Sequence, residues 1–128
     1  MLYLTREQVL KIHQVAITTD GGHPGLRDSG LLDAALALPE SSFDGKLLHP
    51  DLPAACAAYL YHICQNHPFI DGNKRAAAMS AYVFANGNGY TFDTNNEEFE
   101  QLVQSVASER TGKDVLISIL RTVLIQSI

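Results

Sequence analysis

His67-Pro68-Phe69-Ile70-Asp71-Gly72-Asn73-Lys74-Arg75 runs directly into Ala76-Ala77-Ala78-Met79-Ser80-Ala81-Tyr82-Val83-Phe84, so a rigid corner meets a segment that is small or apolar nearly all round. Pro68 ends the helix before it and pushes His67 towards an extended backbone, which presents His67 from a corner. Phe69 and Ile70 are apolar and are expected to pin the loop into a core. Asp71-Gly72 makes a turn, and a helix starts immediately after it. A helix with apolar side chains on almost every face must be surrounded by others. The stretch therefore predicts an all-α fold with this helix at its centre.

The flanking sequence supplies the surrounding helices. Upstream, Asp51 with Pro53 opens a helix whose stripe is Leu52, Cys56, Tyr59, Leu60 and Ile63. Thr5 with Gln8 forms a capping box for a first helix carrying Val9, Leu10, His13, Ala16 and Ile17 on one face. Between them, Asp20-Gly21-Gly22-His23-Pro24-Gly25 is too rich in Gly and Pro for an element interior. Asp28 or Ser29 caps a short helix with Leu31, Leu32, Ala35 and Leu36, stopped by Pro39. Residues 40–50 read as a loop with a little extended structure. Downstream, Asn86-Gly87-Asn88-Gly89 ends the apolar helix and Tyr90-Thr91-Phe92 is briefly extended. Asn95 with Glu98 caps a helix with Phe99, Leu102, Val103 and Val106. Thr111 opens a last one running through Val115, Leu116, Ile119, Leu120, Val123 and Leu124. The expectation is about six helices around a buried central one, with at most a short β-hairpin, in a single domain over residues 1–128. His13 reads as a core or interface histidine, and Tyr59, Tyr82 and Phe84 as core aromatics.

Composition narrows the function. A chain of 128 residues fits one domain and buries roughly two thirds of its unfolded surface. With 46% hydrophobic residues it is not a disordered tail. Nine Lys and Arg against fourteen Asp and Glu give a net charge of −5, which excludes a nucleic-acid binder working through a broad basic face. Cys56 and Cys64 lie within one helical pattern, a placement that disfavours a disulfide, and read as small apolar fillers in a reducing compartment. The first residues show no basic and apolar leader, and no apolar run approaches the ~18 residues needed to span a bilayer. A soluble, cytoplasmic protein without membrane contact is expected.

The corner also carries the chemistry. Free N–H groups at a helix start, aided by the positive end of the helix dipole, make an anion site, and Gly72 lets a ligand approach the backbone closely. Lys74 and Arg75 stand in the first helical turn, where a cation is unfavourable by ~0.3–1 kcal/mol. Two such cations in an acidic chain imply an absent anionic partner, and a polyphosphate would supply it. Each residue alone has an ordinary explanation: Asp71 as a plain N-cap, His67 at a helix end, Lys74 and Arg75 as solvated charges. It is the combination within nine residues that points to function. A P-loop is excluded because the upstream Gly and preceding strand are missing and Arg75 replaces the metal-binding Ser or Thr. No G-x-G-x-x-G follows a strand, and His62 and His67 lack the zinc-protease spacing.

HPFIDGNKR resembles the active-site motif of the Fic/Doc family, H-P-F-x-D/E-G-N-x-R between two helices, at all fixed positions. The GGHPGLRDSGLLDAAL segment, the length and the helix order are similar to the death-on-curing (Doc) branch, the toxins of toxin–antitoxin pairs. The resemblance implies that His67 is the catalytic base, and a histidine's ordinary pKa of ~6.5 suits that task. It implies that Asp71 orients Mg²⁺ on the phosphates of ATP, that Gly72 and Asn73 cradle phosphate by backbone and side-chain donors, and that Arg75 neutralises charge on the transferring group. AMP-transferring relatives commonly carry Gly where this chain has Lys74 and a second Arg where it has Ala78. Asn73-Lys74-Arg75 in this place is similar to the Doc branch, a resemblance that implies ATP-dependent phosphorylation of elongation factor Tu and translation arrest, with AMP transfer to a protein hydroxyl as the alternative. A non-catalytic co-repressor that binds phosphate and antitoxin is a third reading. The implied partner is a cognate antitoxin whose disordered C-terminal segment folds onto the toxin. His23 and Arg27 would edge the cleft, while Lys46 and His49 fall where relatives carry a target-positioning flap.

Overall fold

The computed structural model describes residues 1–127. Helix α1 (Arg6–Asp20) starts at Thr5, whose hydroxyl accepts from Gln8 N–H while the Gln8 side chain returns to the Thr5 backbone, so the capping box is formed. Asp28 caps α2 (Ser29–Ala37) by accepting from Leu31 N–H, and a 3-10 turn over Leu38–Glu40 follows with Pro39 inside it. Strands β1 (Ser42–Phe43) and β2 (Lys46–Leu47) pair antiparallel as the expected small hairpin. Asp51 caps α3 (Leu52–Asn66), and α4 (Asn73–Gly87) begins after the motif corner. Strand β3 (Tyr90–Phe92), α5 (Asn96–Ala107) capped by Asn95, α6 (Lys113–Val123) and β4 (Leu124–Gln126) complete the chain. Among the described residues no helix is long and apolar enough to cross a membrane.

The sequence pattern misplaces two details near the end. The last helix is capped by Gly112 rather than Thr111, because the Thr111 hydroxyl is bonded to Ser105 Oγ at 2.6 Å. It also stops one residue short of Leu124, which turns into an antiparallel ladder with Phe92. The apolar run continues across that boundary, so helical periodicity alone does not mark it. Pairing with β3 does.

The buried centre is α3, not α4. Every residue from Ala54 to Leu60 is buried, and the Ala and Cys side chains in that run let α2, α4, α5 and α6 pack closely around it. On α4 the buried residues, Asn73, Ala76, Ala77, Ser80, Ala81, Phe84 and Ala85, lie on one face, while Tyr82 is 53% exposed on the other. Alanine explains the discrepancy, since it reads as apolar yet costs little at a surface. Tyr59 and Phe84 pack with ring centroids 4.8 Å apart in the core, and the Tyr59 hydroxyl accepts from Leu4 N–H at 2.9 Å. Burial of side chains this size contributes roughly 1.5–3 kcal/mol each. Cys56 and Cys64 are buried and unpaired. Burial raises the Cys56 thiol pKa and pushes that of Cys64 up to about 12, which keeps both protonated and inert.

Candidate active site

The motif loop hangs between the C-terminus of α3 and the N-terminus of α4. His67 is the C-cap of α3 and adopts φ 50°, ψ 53°, a left-handed rather than extended conformation. Its N–H still closes the helix onto Ile63 O at 3.2 Å, and that bond requires the turn. Pro68 and Phe69 are buried, whereas Ile70 is 53% exposed, so Phe69 with Pro68, and not Ile70, pins the loop. His67 remains exposed. Among the described residues its ring makes no hydrogen bond.

Two side chains brace the loop from within. Asn73 is buried and clamps Phe69 from both sides: Phe69 N–H donates to Oδ1 at 2.9 Å and Nδ2 donates to Phe69 O at 3.0 Å. The expected side-chain donor to phosphate is therefore engaged in holding the loop, and the Asn73 backbone N–H is what the helix start offers. From α1, the buried His13 ring lies flat on the Phe69 ring, and its Nε2 donates to Asp71 O at 2.7 Å. This places the Nε2 proton. His13 is a core histidine as expected, but its partners are the motif itself.

Asp71 is partly exposed, and its carboxylate is oriented by the backbone. His23 N–H donates to Oδ2 at 3.2 Å and Gly72 N–H to Oδ1 at 2.8 Å. These bonds, then the nearby Arg75 guanidinium, hold its pKa below the usual carboxylate range. Each oxygen keeps a free lone pair. The 21–25 loop comes so close that a Cβ on Gly22 would sit 2.7 Å from Asp71 Oδ2.

Gly72 is the N-cap of α4 in the left-handed conformation, φ 74°, and supplies no side-chain cap. The N–H groups of Asn73, Lys74 and Arg75 thus precede the first intrahelical bond, Ala76 N–H to Gly72 O at 2.9 Å. The two cations differ. Arg75 donates to Ala16 O at 3.2 Å and Gly21 O at 2.9 Å and lies 3.6 Å from Asp20, so it neutralises the negative end of α1. Lys74 reaches Gln104 Oε1 on α5 at 3.2 Å and has no anionic partner among the described residues. The absent counter-ion inferred from sequence is thus required by Lys74 and already present for Arg75.

His67, Asp71, Gly72, Asn73, Lys74 and Arg75 all line one open cleft of about 540 Å³, closed on its far side by α5. Its chemistry fits a magnesium–triphosphate: an oriented carboxylate for a hard cation, uncapped helix N–H groups for anionic oxygens, and an ammonium with no anionic partner among the described residues. His23 and Arg27 do not line it. They hold the motif from behind, His23 through its backbone and Arg27 through two bonds to the end of α3, Nε to His67 O at 2.7 Å and Nη2 to Asn66 O at 2.9 Å. Lys46 lies on the exposed hairpin, but His49 is buried away from the cleft, beside Lys113 and His62. The supporting roles of His13, Gly22 and Gln104 carry no sequence signal, since each arises from distant elements meeting.

The sequence model of the Fic/DOC family matches residues 3–85, which include α1 to most of α4 and the entire motif. Toxin Doc of Mycolicibacterium smegmatis is 38% identical over 114 residues, covering 88% of this chain and 85% of that protein. Protein kinase doc of Escherichia phage P1 is 32% identical over 89 residues, 70% of each chain. A left-handed His corner leading into an uncapped helix start, within a six-helix fold matched over most of its length, places this chain in the Fic/DOC family, on its Doc branch.

Proposed function

We propose that this protein is the toxin of a toxin–antitoxin pair and transfers the γ-phosphoryl group of ATP to a hydroxyl of a protein target, elongation factor Tu, so arresting translation. The observation that carries the reading is the gathering of an exposed His67, an oriented Asp71 and the uncapped start of α4 in one open cleft. Family membership supports a protein-modifying transferase, and the two relatives bear the names toxin and protein kinase. Mg²⁺ with ATP, when bound, supplies the phosphoryl group and shields its charge.

His67 takes the proton of the target hydroxyl as its oxygen bonds to the γ-phosphorus and the bond from that phosphorus to the bridging oxygen breaks, ADP departing as the leaving group, and nothing among the described residues competes for the His67 ring. Asp71 would hold the cation. The N–H groups of Asn73 and Lys74 bind phosphate oxygens, and the Lys74 ammonium neutralises one of them. Arg75 acts mainly by fixing the end of α1 against the helix start. Phosphoryl transfer is favoured over AMP transfer because Lys74 spans from α4 to Gln104 on α5 and fills the space that Gly would leave in the cleft. A cognate antitoxin with a disordered C-terminal segment is the expected partner.

Incubation with ATP labelled at the γ or the α phosphate, elongation factor Tu and Mg²⁺ tests the reading. Label is expected on the factor from the γ position only. Label from the α position alone overturns the kinase reading in favour of AMP transfer. A His67→Ala protein that remains toxic points instead to a non-catalytic binding module.

A further inference from the structure

Arg27 is exposed and outside the cleft, yet it holds three successive carbonyls of the segment that carries His67. Its side chain donates from Nε to His67 O at 2.7 Å and from Nη2 to Asn66 O at 2.9 Å. Its backbone N–H donates to Pro68 O at 2.7 Å, an acceptor shared with Asp28 N–H at 3.0 Å. The first two carbonyls belong to the end of α3, where they have no helical partner and where the dipole is negative. A planar guanidinium suits two neighbouring acceptors, and its charge is favourable there.

The consequence falls on His67. At φ 50° and ψ 53° it holds a conformation that only its surroundings can maintain in a non-glycine residue. Its ring has no hydrogen bond among the described residues to set its direction. The backbone on either side therefore sets the direction of the Cα–Cβ bond from which the ring projects. Rotation about ψ of His67 swings the His67 carbonyl away from Arg27 Nε and breaks the fork. Ile70 N–H to Gly25 O at 3.1 Å and the Leu26–Phe69 bridge continue the same seam, but they act beyond Pro68 and do not hold the His67 carbonyl itself.

We propose that Arg27 is the positioning residue for His67: its guanidinium locks the peptide after His67 and so aims the base at the acceptor hydroxyl. This deepens the transferase reading and rests on it. A lysine at this place is a point charge on a flexible stem and cannot fix two carbonyls at once.

The test compares Arg27→Ala and Arg27→Lys with the unaltered protein. In both variants kcat for label transfer from ATP is expected to fall about tenfold to a hundredfold, as for a misaimed catalytic group. KM for ATP should stay within about twofold, because the start of α4 is untouched. Added ethylguanidinium should restore part of the kcat of Arg27→Ala. Independently of any transfer, the three-bond coupling between His67 Hα and the Pro68 nitrogen, which follows ψ, and the Cα shift of His67 should report one left-handed conformer in the unaltered protein and an average in Arg27→Ala. Should Arg27→Ala fail to fold, Arg27→Lys provides the same comparisons. An unchanged kcat, a raised KM with unchanged kcat, or an unchanged His67 coupling overturns the proposal. If the unaltered protein transfers no label, the transferase reading fails, and the coupling alone decides whether Arg27 holds His67.

Discussion

The His13 ring lies parallel to the Phe69 ring, with centroids 3.8 Å and planes 5° apart, while its Nε2 donates to Asp71 O at 2.7 Å. One side chain on α1 thus grips the motif loop twice, once by its face and once by its edge. The stack anchors the aromatic pin of the loop, and the hydrogen bond fixes the peptide that leads into Gly72.

The two grips are separable. His13→Phe keeps an aromatic face on Phe69 but leaves the Asp71 carbonyl unpaired, at a cost of about 1–3 kcal/mol. His13→Ala also loses the stack, worth a further 0.5–1.5 kcal/mol or about that, and leaves a cavity. Urea denaturation should rank the proteins unaltered, Phe, Ala. Equal midpoints for the two variants would remove the stack from the account.

Asp71 is held through the neighbouring loop, so a change at Gly22 should act on the cation site. Gly22→Ala places a Cβ 2.7 Å from Asp71 Oδ2 at a backbone φ of +121°. Gly21→Ala is the control: it has a comparable positive φ of +86° but meets nothing within 4 Å. Both should lose some stability through backbone strain. Only Gly22→Ala is expected to weaken Mg²⁺-dependent ATP binding, measured by calorimetry with and without EDTA. Similar ATP affinities in the two variants would contradict the role given to Asp71.

Asn73 is expected to be structural first. Asn73→Ala orphans a buried N–H and a buried C=O on Phe69, at a cost of roughly 2–5 kcal/mol for the two groups. Asn73→Asp can still accept from Phe69 N–H but opposes its carboxylate to Phe69 O, so it should be no better. Thermal unfolding followed by circular dichroism checks this. A midpoint unchanged in Asn73→Ala would mean that the clamp contributes nothing.

Acid should loosen the packing of α6 on α3. His62 Nε2 lies 2.9 Å from Lys113 Nζ, and burial, then the Lys113 charge, then His49, lower its pKa to about 4. Burial, then Lys113, lowers that of His49 as well. The unfolded chain titrates these rings near ~6.5, so between that pH and the folded value it binds more protons than the native state. The stabilisation is complete above that range and is lost as pH falls towards 4. After discounting for partial exposure the loss from His62 is about 1–2 kcal/mol. Urea midpoints between pH 7 and 4.5 should fall less steeply in His62→Gln. An identical slope would assign the acid sensitivity elsewhere.

Local chemistry made much of this molecule legible. Thr5, Asp28, Asp51 and Asn95 each cap the helix they were expected to cap, because a cap is a contact between residues three apart. HPFIDGNKR locates the corner and the helix start for the same reason. Where the expectation missed, another partner had taken the group: Ser105, six residues back, took Thr111, β3 took Leu124 from far along the chain, and Phe69, four residues back, took the Asn73 amide.

By itself the sequence determined the helices, the family and which six residues meet at the candidate site. Tertiary structure alone decided that α3 is the centre, that Arg75 is already neutralised by the end of α1 while Lys74 has no anionic partner among the described residues, and that His13, His23 and Arg27 hold the motif in place. The physical reason is range. Caps, turns and helix starts are fixed by neighbours along the chain, whereas the charge balance and rigidity of a cleft depend on α1, α5 and the 21–28 loop arriving at one point in space.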